Sequence, residues 1–242
     1  MVASDVVTAE FDYIGNELQL FAAADNWKRY WSAAIAPFVR GRVLDVGAGL
    51  GATARAFAEH RGISDWTCLE PDRRLAAALR VRMAEYGLSF RTRVRCGMLA
   101  DLHPTERFDT VLYIDVLEHI RDDGGELVRA AAQIAKGGHL VVLSPAHQWL
   151  YSPFDQAIGH ERRYTRKNLR ASAPADLRLV RLHYLDVVGL AASLGNRLLL
   201  RRAMPSAVQI AAWDRLMVPL SRRLDPLIGH SLGKTVIGVW TR

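Results

Sequence analysis

Val43-Leu44-Asp45-Val46-Gly47-Ala48-Gly49-Leu50-Gly51 is the stretch from which the rest of the chain can be read. Arg42 to Val46 reads as a buried strand, and Ala52-Thr53-Ala54-Arg55-Ala56-Phe57-Ala58 reads as a helix. The glycines between them permit positive φ and leave no Cβ in the way, so a small ligand can lie against the main chain at the helix N-terminus. Their spacing is G-x-G-x-G, not the phosphate-cradling G-x-G-x-x-G. Asp45, just before the first glycine, would repel a pyrophosphate and favour a cationic ligand. A second carboxylate, Glu70, ends the next apolar run, Trp66-Thr67-Cys68-Leu69, where a ribose would offer its hydroxyls.

Leu44 to Gly51 and Leu69-Glu70-Pro71-Asp72 resemble the first two motifs of the class I S-adenosylmethionine-dependent methyltransferases. Asp115-Val116-Leu117-Glu118-His119 resembles their fourth motif. The resemblance covers roughly Asn26 to Arg242. It implies a Rossmann-like α/β fold of seven strands, the last antiparallel between the fifth and sixth, with helices on both faces and a helical insertion before the last strand. It also implies S-adenosylmethionine as cofactor. Asp45, Gly47, Gly49 and Gly51 would surround its amino acid portion, Glu70 its ribose, Met98 and Leu99 its adenine, and Asp115 its sulfonium end. Many relatives carry an aspartate where this chain has Met98, so adenine would rest on a polarizable thioether.

With 242 residues and 50% hydrophobic content the chain suits one α/β domain over residues 1–242. No run reaches the roughly 18 apolar residues of a membrane span, and Met1 to Asp5 lack the pattern of a signal peptide, so the cytoplasm is the expected location. Cys68 and Cys96 are expected as reduced core residues. The net charge of +7 is mostly arginine, which suits an anionic partner or reflects genome composition alone. Nucleic acid as a substrate is disfavoured by the absence of a base-flipping motif.

Residues 1–36 read as a helical lid that packs on the sheet or covers the pocket, with Tyr30 as a candidate substrate wall. From Arg42 strands and helices alternate, as in a parallel sheet covered on both faces. Arg73 to Tyr86 is a helix closed by Gly87, Phe108 to Ile114 a buried strand, Gly125 to Ala135 a helix, and His139 to Leu143 a strand after the turn Lys136-Gly137-Gly138. Leu177 to Leu185 and Thr235 to Trp240 are the last two strands. Residues 189–233 are too long for a loop and must carry helices of their own. Their apolar, arginine-rimmed segments suit packing on the domain, a substrate lid, peripheral contact with an anionic membrane, or a homodimer face.

The most chemistry lies after the fifth strand, from Ser144 to Thr165. His147, Asp155 and His160 are the candidate catalytic residues, with His160 and His147 as bases for a hydroxyl or ammonium acceptor. Arg162, Arg163 and Tyr164 join Tyr30 as candidate substrate contacts, the arginines either meeting an anionic group or pairing with Glu161 and Asp155. The expected site holds no metal; the alternative is a divalent ion on Asp115, Glu118 and His119. The expected activity is methyl transfer from S-adenosylmethionine to an O or N atom of a small or lipophilic acceptor. The alternatives are a cofactor-binding protein acting as a cyclase or regulatory partner, and an NAD-dependent oxidoreductase.

Overall fold

Alternation along the strands sorts the side chains into two layers. In β1 (Gly41–Val46), Val43 faces one side with Asp45, and Leu44 faces the other with Val46. The computed structural model describes residues 21–195 and 205–242. Within them β2 (Ile63–Glu70), β3 (Arg91–Cys96), β4 (Phe108–Ile114), β5 (Ile134–Pro145), β6 (Arg178–Leu185) and β7 (Thr235–Thr241) complete one sheet with β1. Its order is β3-β2-β1-β4-β5-β7-β6. β1 to β5 are parallel, and β7 runs antiparallel to β5 and β6. The Rossmann-like arrangement expected from the sequence is therefore present, with the last strand between the fifth and sixth.

On one face α1 (Asp25–Ile35), α2 (Ala52–Ala56) and α3 (Arg73–Glu85) bury Trp27, Trp31, Ile35, Ala54, Leu79 and Met83 against Trp66, Leu112 and Val141. On the other, α4 (Asp123–Gln133) buries Leu127 and Ala130 against Val111, Tyr113 and Val142. Asp72 starts α3 by accepting from the Arg74 and Leu75 N–H groups at 2.7 and 2.9 Å. The expected turn Lys136-Gly137-Gly138 lies inside β5. The register jumps there from Phe108↔Ile134 to Thr110↔His139, and Ile134 is strand, not helix. Cys68 is buried as expected, but Cys96 is exposed, because it sits at the end of the edge strand β3.

The acceptor loop folds as a short helix, α5 (Pro153–Ala157), and α6 (Arg166–Ser172) follows it. The insertion supplies α7 (Val187–Gly195), α8 (Ala207–Ala212), a π-turn at Trp213–Met217 and α9 (Val218–Leu227). The expected apolar segment Leu198 to Arg202 and the first part of the N-terminal lid lie outside the described residues. Three buried carboxylates bind the insertion to the domain. Asp214 accepts from the Asn26 and Trp27 N–H groups at 3.2 and 2.8 Å, and Asp225 accepts from Tyr30 Oη at 2.7 Å and from the Asp186 N–H at 2.6 Å. Asp186 accepts from Ser221 Oγ at 2.7 Å and from Trp213 Nε1 at 2.8 Å. The outer side of the insertion leaves Leu216, Leu220, Leu224 and Leu227 exposed beside Arg215, Arg222 and Arg223. Among the described residues no helix is long and apolar enough to cross a membrane.

Candidate functional site

The glycine loop turns at the carboxyl end of β1, where a doubly wound sheet takes its ligands. Gly47, Gly49 and Gly51 have φ of +64, +54 and +78°, which side-chain-bearing residues rarely adopt. A Cβ on Gly47 would stand 2.7 Å from Val116 Cγ2, and one on Gly51 2.7 Å from Leu79 Cδ1. The loop is thus held between β4 and α3. Glu70 fixes it further, accepting from the Gly49 N–H at 2.8 Å and the Asp72 N–H at 3.0 Å. Burial raises the Glu70 pKa even so.

Asp45 is buried under this loop, with Trp66 Nε1 donating to it at 3.3 Å. Desolvation lifts its pKa to about 7, because one indole donor does not replace the lost water. A carboxylate of this kind suits a cationic group. Met98 is half exposed beyond β3 and Leu99 is buried behind it, while the Met98 N–H donates to Asp101 Oδ2 at 2.7 Å. Asp115 closes the set at the end of β4, exposed and at φ +54°, a strained setting for a non-glycine residue. These residues fit the cofactor that the motifs imply: a cradle that a side chain would fill, a buried carboxylate short of donors, and a second carboxylate beside the loop.

Across the sheet edge, α5 and the turn after it bring Asp155 and His160 together. Asp155 is fully buried and accepts from His160 Nδ1 at 2.9 Å, from Arg163 Nε and Nη2 at 2.8 and 2.9 Å, and from Ser152 Oγ at 2.9 Å. Burial would raise the Asp155 pKa, but the His160 and Arg163 hydrogen bonds outweigh it and hold the carboxylate well below its usual range. The other nitrogen of His160 faces Glu118 Oε1 at 3.8 Å. Glu118 is fully buried, its Oε2 accepts from Ser144 Oγ at 2.9 Å, and its Oε1 has no hydrogen-bond partner. Burial, with the nearby Asp115 charge, pushes its pKa well up. The His119 ring meets His160 edge-on at 4.6 Å, and burial lowers its pKa to about 4.

Glu118, His119 and His160 each offer a ligand atom, all within 4.8 Å of one another. One carboxylate and two imidazoles suit a divalent transition ion, and the orphaned Oε1 fits that role. This cluster has His160 where the sequence alternative had Asp115.

The remaining candidates are placed as follows. Arg162 pairs with Asp123 at 3.0 Å and caps the Ile120 and Arg121 carbonyls. Tyr164 is buried, and its hydroxyl donates to Asp123 Oδ2 at 2.6 Å. His147 lies between Trp149 and Tyr184, with Nε2 facing the Gly233 carbonyl oxygen at 3.0 Å, and burial lowers its pKa. The Tyr30 hydroxyl goes to Asp225, so α1 meets the insertion there. Nothing in the sequence pattern singles out Lys234 except that it is a lysine in an arginine-rich chain, placed directly before the last strand. The fold brings it to this same edge, between β5 and β6.

Residues 19–191 match a methyltransferase domain family. Over 108 residues the chain is 32% identical to the ubiquinone biosynthesis O-methyltransferase of Bradyrhizobium sp. (strain ORS 278), covering 45% of this chain and 41% of that protein. The matched part thus spans about two fifths of the length of the curated relatives. Among solved structures, the [4+2]-cyclase SpnF superposes with a TM-score of 0.60 at 16% identity, covering 95% of each chain. Coclaurine N-methyltransferase, bound to N-methylheliamine and S-adenosylhomocysteine, gives 0.60 at 14% identity, over 91% of this chain and 73% of that one. The chain belongs to the methyltransferase domain family and is a class I S-adenosylmethionine-dependent methyltransferase.

Proposed function

We propose that the protein transfers the methyl group of S-adenosylmethionine to an oxygen atom of a small, lipophilic acceptor. The observation that carries this reading is the buried chain Asp155, His160, Glu118 at the same sheet edge as the glycine loop. The O-methyltransferase relatives favour oxygen over nitrogen. When bound, the cofactor supplies a methyl group already activated by positive sulfur, so the protein's work is alignment and exclusion of water. Asp45 would take the ammonium of the cofactor, Glu70 its ribose hydroxyls, and Met98 and Leu99 its adenine.

Asp155 fixes the His160 ring and, where Nδ1 carries the proton, leaves Nε2 as the acceptor. His160 would then take the proton of the hydroxyl, with Glu118 passing it on or stabilising the charge. Calorimetry with S-adenosylhomocysteine, with NAD as the control, tests the cofactor half. Binding of NAD alone would overturn the reading.

A second reading is favoured by the orphaned Oε1 of Glu118: a divalent ion on Glu118, His119 and His160, which would lower the pKa of the acceptor hydroxyl as a Lewis acid. A resemblance of fold to a cyclase keeps a non-methylating reaction as the alternative, which an assay for S-adenosylhomocysteine release decides.

A further inference from the structure

Lys234 leaves the main chain at a fixed point. Its N–H donates to the Asp186 carbonyl oxygen at 3.1 Å, and its carbonyl oxygen accepts from the Ala146 N–H at 2.7 Å. Gly233 before it packs so closely on β6 that a Cβ would stand 2.2 Å from the Leu185 carbonyl oxygen. The same glycine's carbonyl is the group that His147 meets. The side chain therefore starts from a rigid corner between the ends of β5 and β6, and its ammonium lies over the Trp213 ring, 5.2 Å from the centroid.

The charged groups that act on the ammonium come from three segments: Asp186 after β6, Arg163 and Asp155 of the acceptor loop, and Asp115 beside the glycine loop. Most are already engaged. Asp186 accepts from Ser221, Gly189 and Trp213, and Asp155 from His160, Arg163 and Ser152. Arg163 is spent on Asp155, and Arg162 on Asp123. Among the described residues Lys234 forms no ion pair, and its contact is an indole face. Burial lowers the Lys234 pKa, and an arriving anion would restore the charged form, so this partly buried ammonium gains more from such a partner than an exposed one would.

We propose that Lys234 anchors an anionic oxygen of the acceptor, a carboxylate or an ionised phenol, while Trp213 carries the adjoining apolar part. This rests on the methyl-transfer reading and adds the class of acceptor: a molecule with a negatively charged oxygen attached to an aromatic or aliphatic body. The cation supplied by Lys234 positions the acceptor, and the proton of the reacting hydroxyl still goes to His160.

The test titrates 3,4-dihydroxybenzoate and its neutral counterpart 3,4-dihydroxybenzyl alcohol into the protein by calorimetry, with and without S-adenosylhomocysteine. The wild type is expected to bind the anion about tenfold more tightly than the alcohol. Lys234→Met is expected to lose that preference and Lys234→Arg to keep most of it, with the affinity for S-adenosylhomocysteine unchanged in both. If Lys234→Met fails to fold, Lys234→Gln replaces it with the same expected loss. The proposal is overturned if the wild type shows no preference for the anion, or if the preference survives in Lys234→Met or Lys234→Gln. A preference for the anion in protein that does not bind S-adenosylhomocysteine would sink the methyl-transfer reading while leaving the anchor standing.

Discussion

Nε2 of His160 lies 3.8 Å from Oε1 of Glu118, an oxygen that is buried with no hydrogen-bond partner. Burial and the Asp115 charge push the Glu118 pKa well above the ordinary carboxylate range. Glu118 Oε1 stands on the opposite side of the ring from the nitrogen that Asp155 holds.

His160→Ala is expected to leave S-adenosylhomocysteine affinity unchanged and to slow turnover by about 100-fold or more. Initial rates with a turned-over acceptor check this, and full activity would remove His160 from proton transfer. Turnover should also survive chelation and dialysis. A loss that Mn²⁺ restores would instead make His160 a metal ligand.

The Asp45 pKa of about 7 gives a pH dependence with a definite sign. Unfolded, the carboxyl titrates near 3.9, so between about pH 4 and 7 the folded chain holds more protons than the unfolded one. Stability conferred by this site therefore falls as pH rises through that window. Asp45→Asn should stabilise the ligand-free protein at pH 8 by about 2 kcal/mol in urea titrations. The same variant should bind S-adenosylmethionine more weakly, and wild-type binding should weaken below about pH 7.

Gly47→Ala combines a positive φ with a methyl 2.7 Å from Val116. It should abolish cofactor binding by calorimetry. Adding Val116→Ala relieves the clash but not the φ cost of about 1 kcal/mol, so only part of the affinity should return.

Asp155→Ala leaves the buried Arg163 guanidinium without its carboxylate and should cost about 3 to 5 kcal/mol of stability. Tyr30→Phe removes a single hydrogen bond to Asp225, which keeps its backbone donors, and should cost about 1 kcal/mol. Urea titrations read both, and a reversed order would contradict the buried ion pair.

If the exposed leucines of α9 and the π-turn dock on an anionic membrane, pelleting with anionic vesicles should fall steeply with added salt. No pelleting at low salt would leave this face to other partners.

The strand-end placement of Asp45, Glu70 and Asp115 was legible because these residues lie within short contiguous motifs, and a strand that ends in Asp-x-Gly or Leu-Glu states its own location. Bounds such as those of α3 were equally local, set by the Asp72 cap and Gly87. The acceptor side was legible in composition but not in pairing. The sequence leaves Arg163 open between an anionic substrate group and pairing with Glu161 and Asp155, and only the fold of α5 gives it to Asp155. The Tyr164 and Tyr30 hydroxyls are taken up by carboxylates that only tertiary structure brings near them. In the case of Tyr30 the partner is 195 residues along the chain.

Asp225 joins α1, the start of α7 and α9 through one carboxylate. Asp214 depends on α1 more heavily still, and a graft of this insertion onto another sheet would leave that buried carboxylate without its Asn26 and Trp27 donors unless residues 25–35 travelled with it. The two distant segments thus form one exchangeable cap, and laboratory recombination aimed at new acceptors should place its crossovers to keep them together.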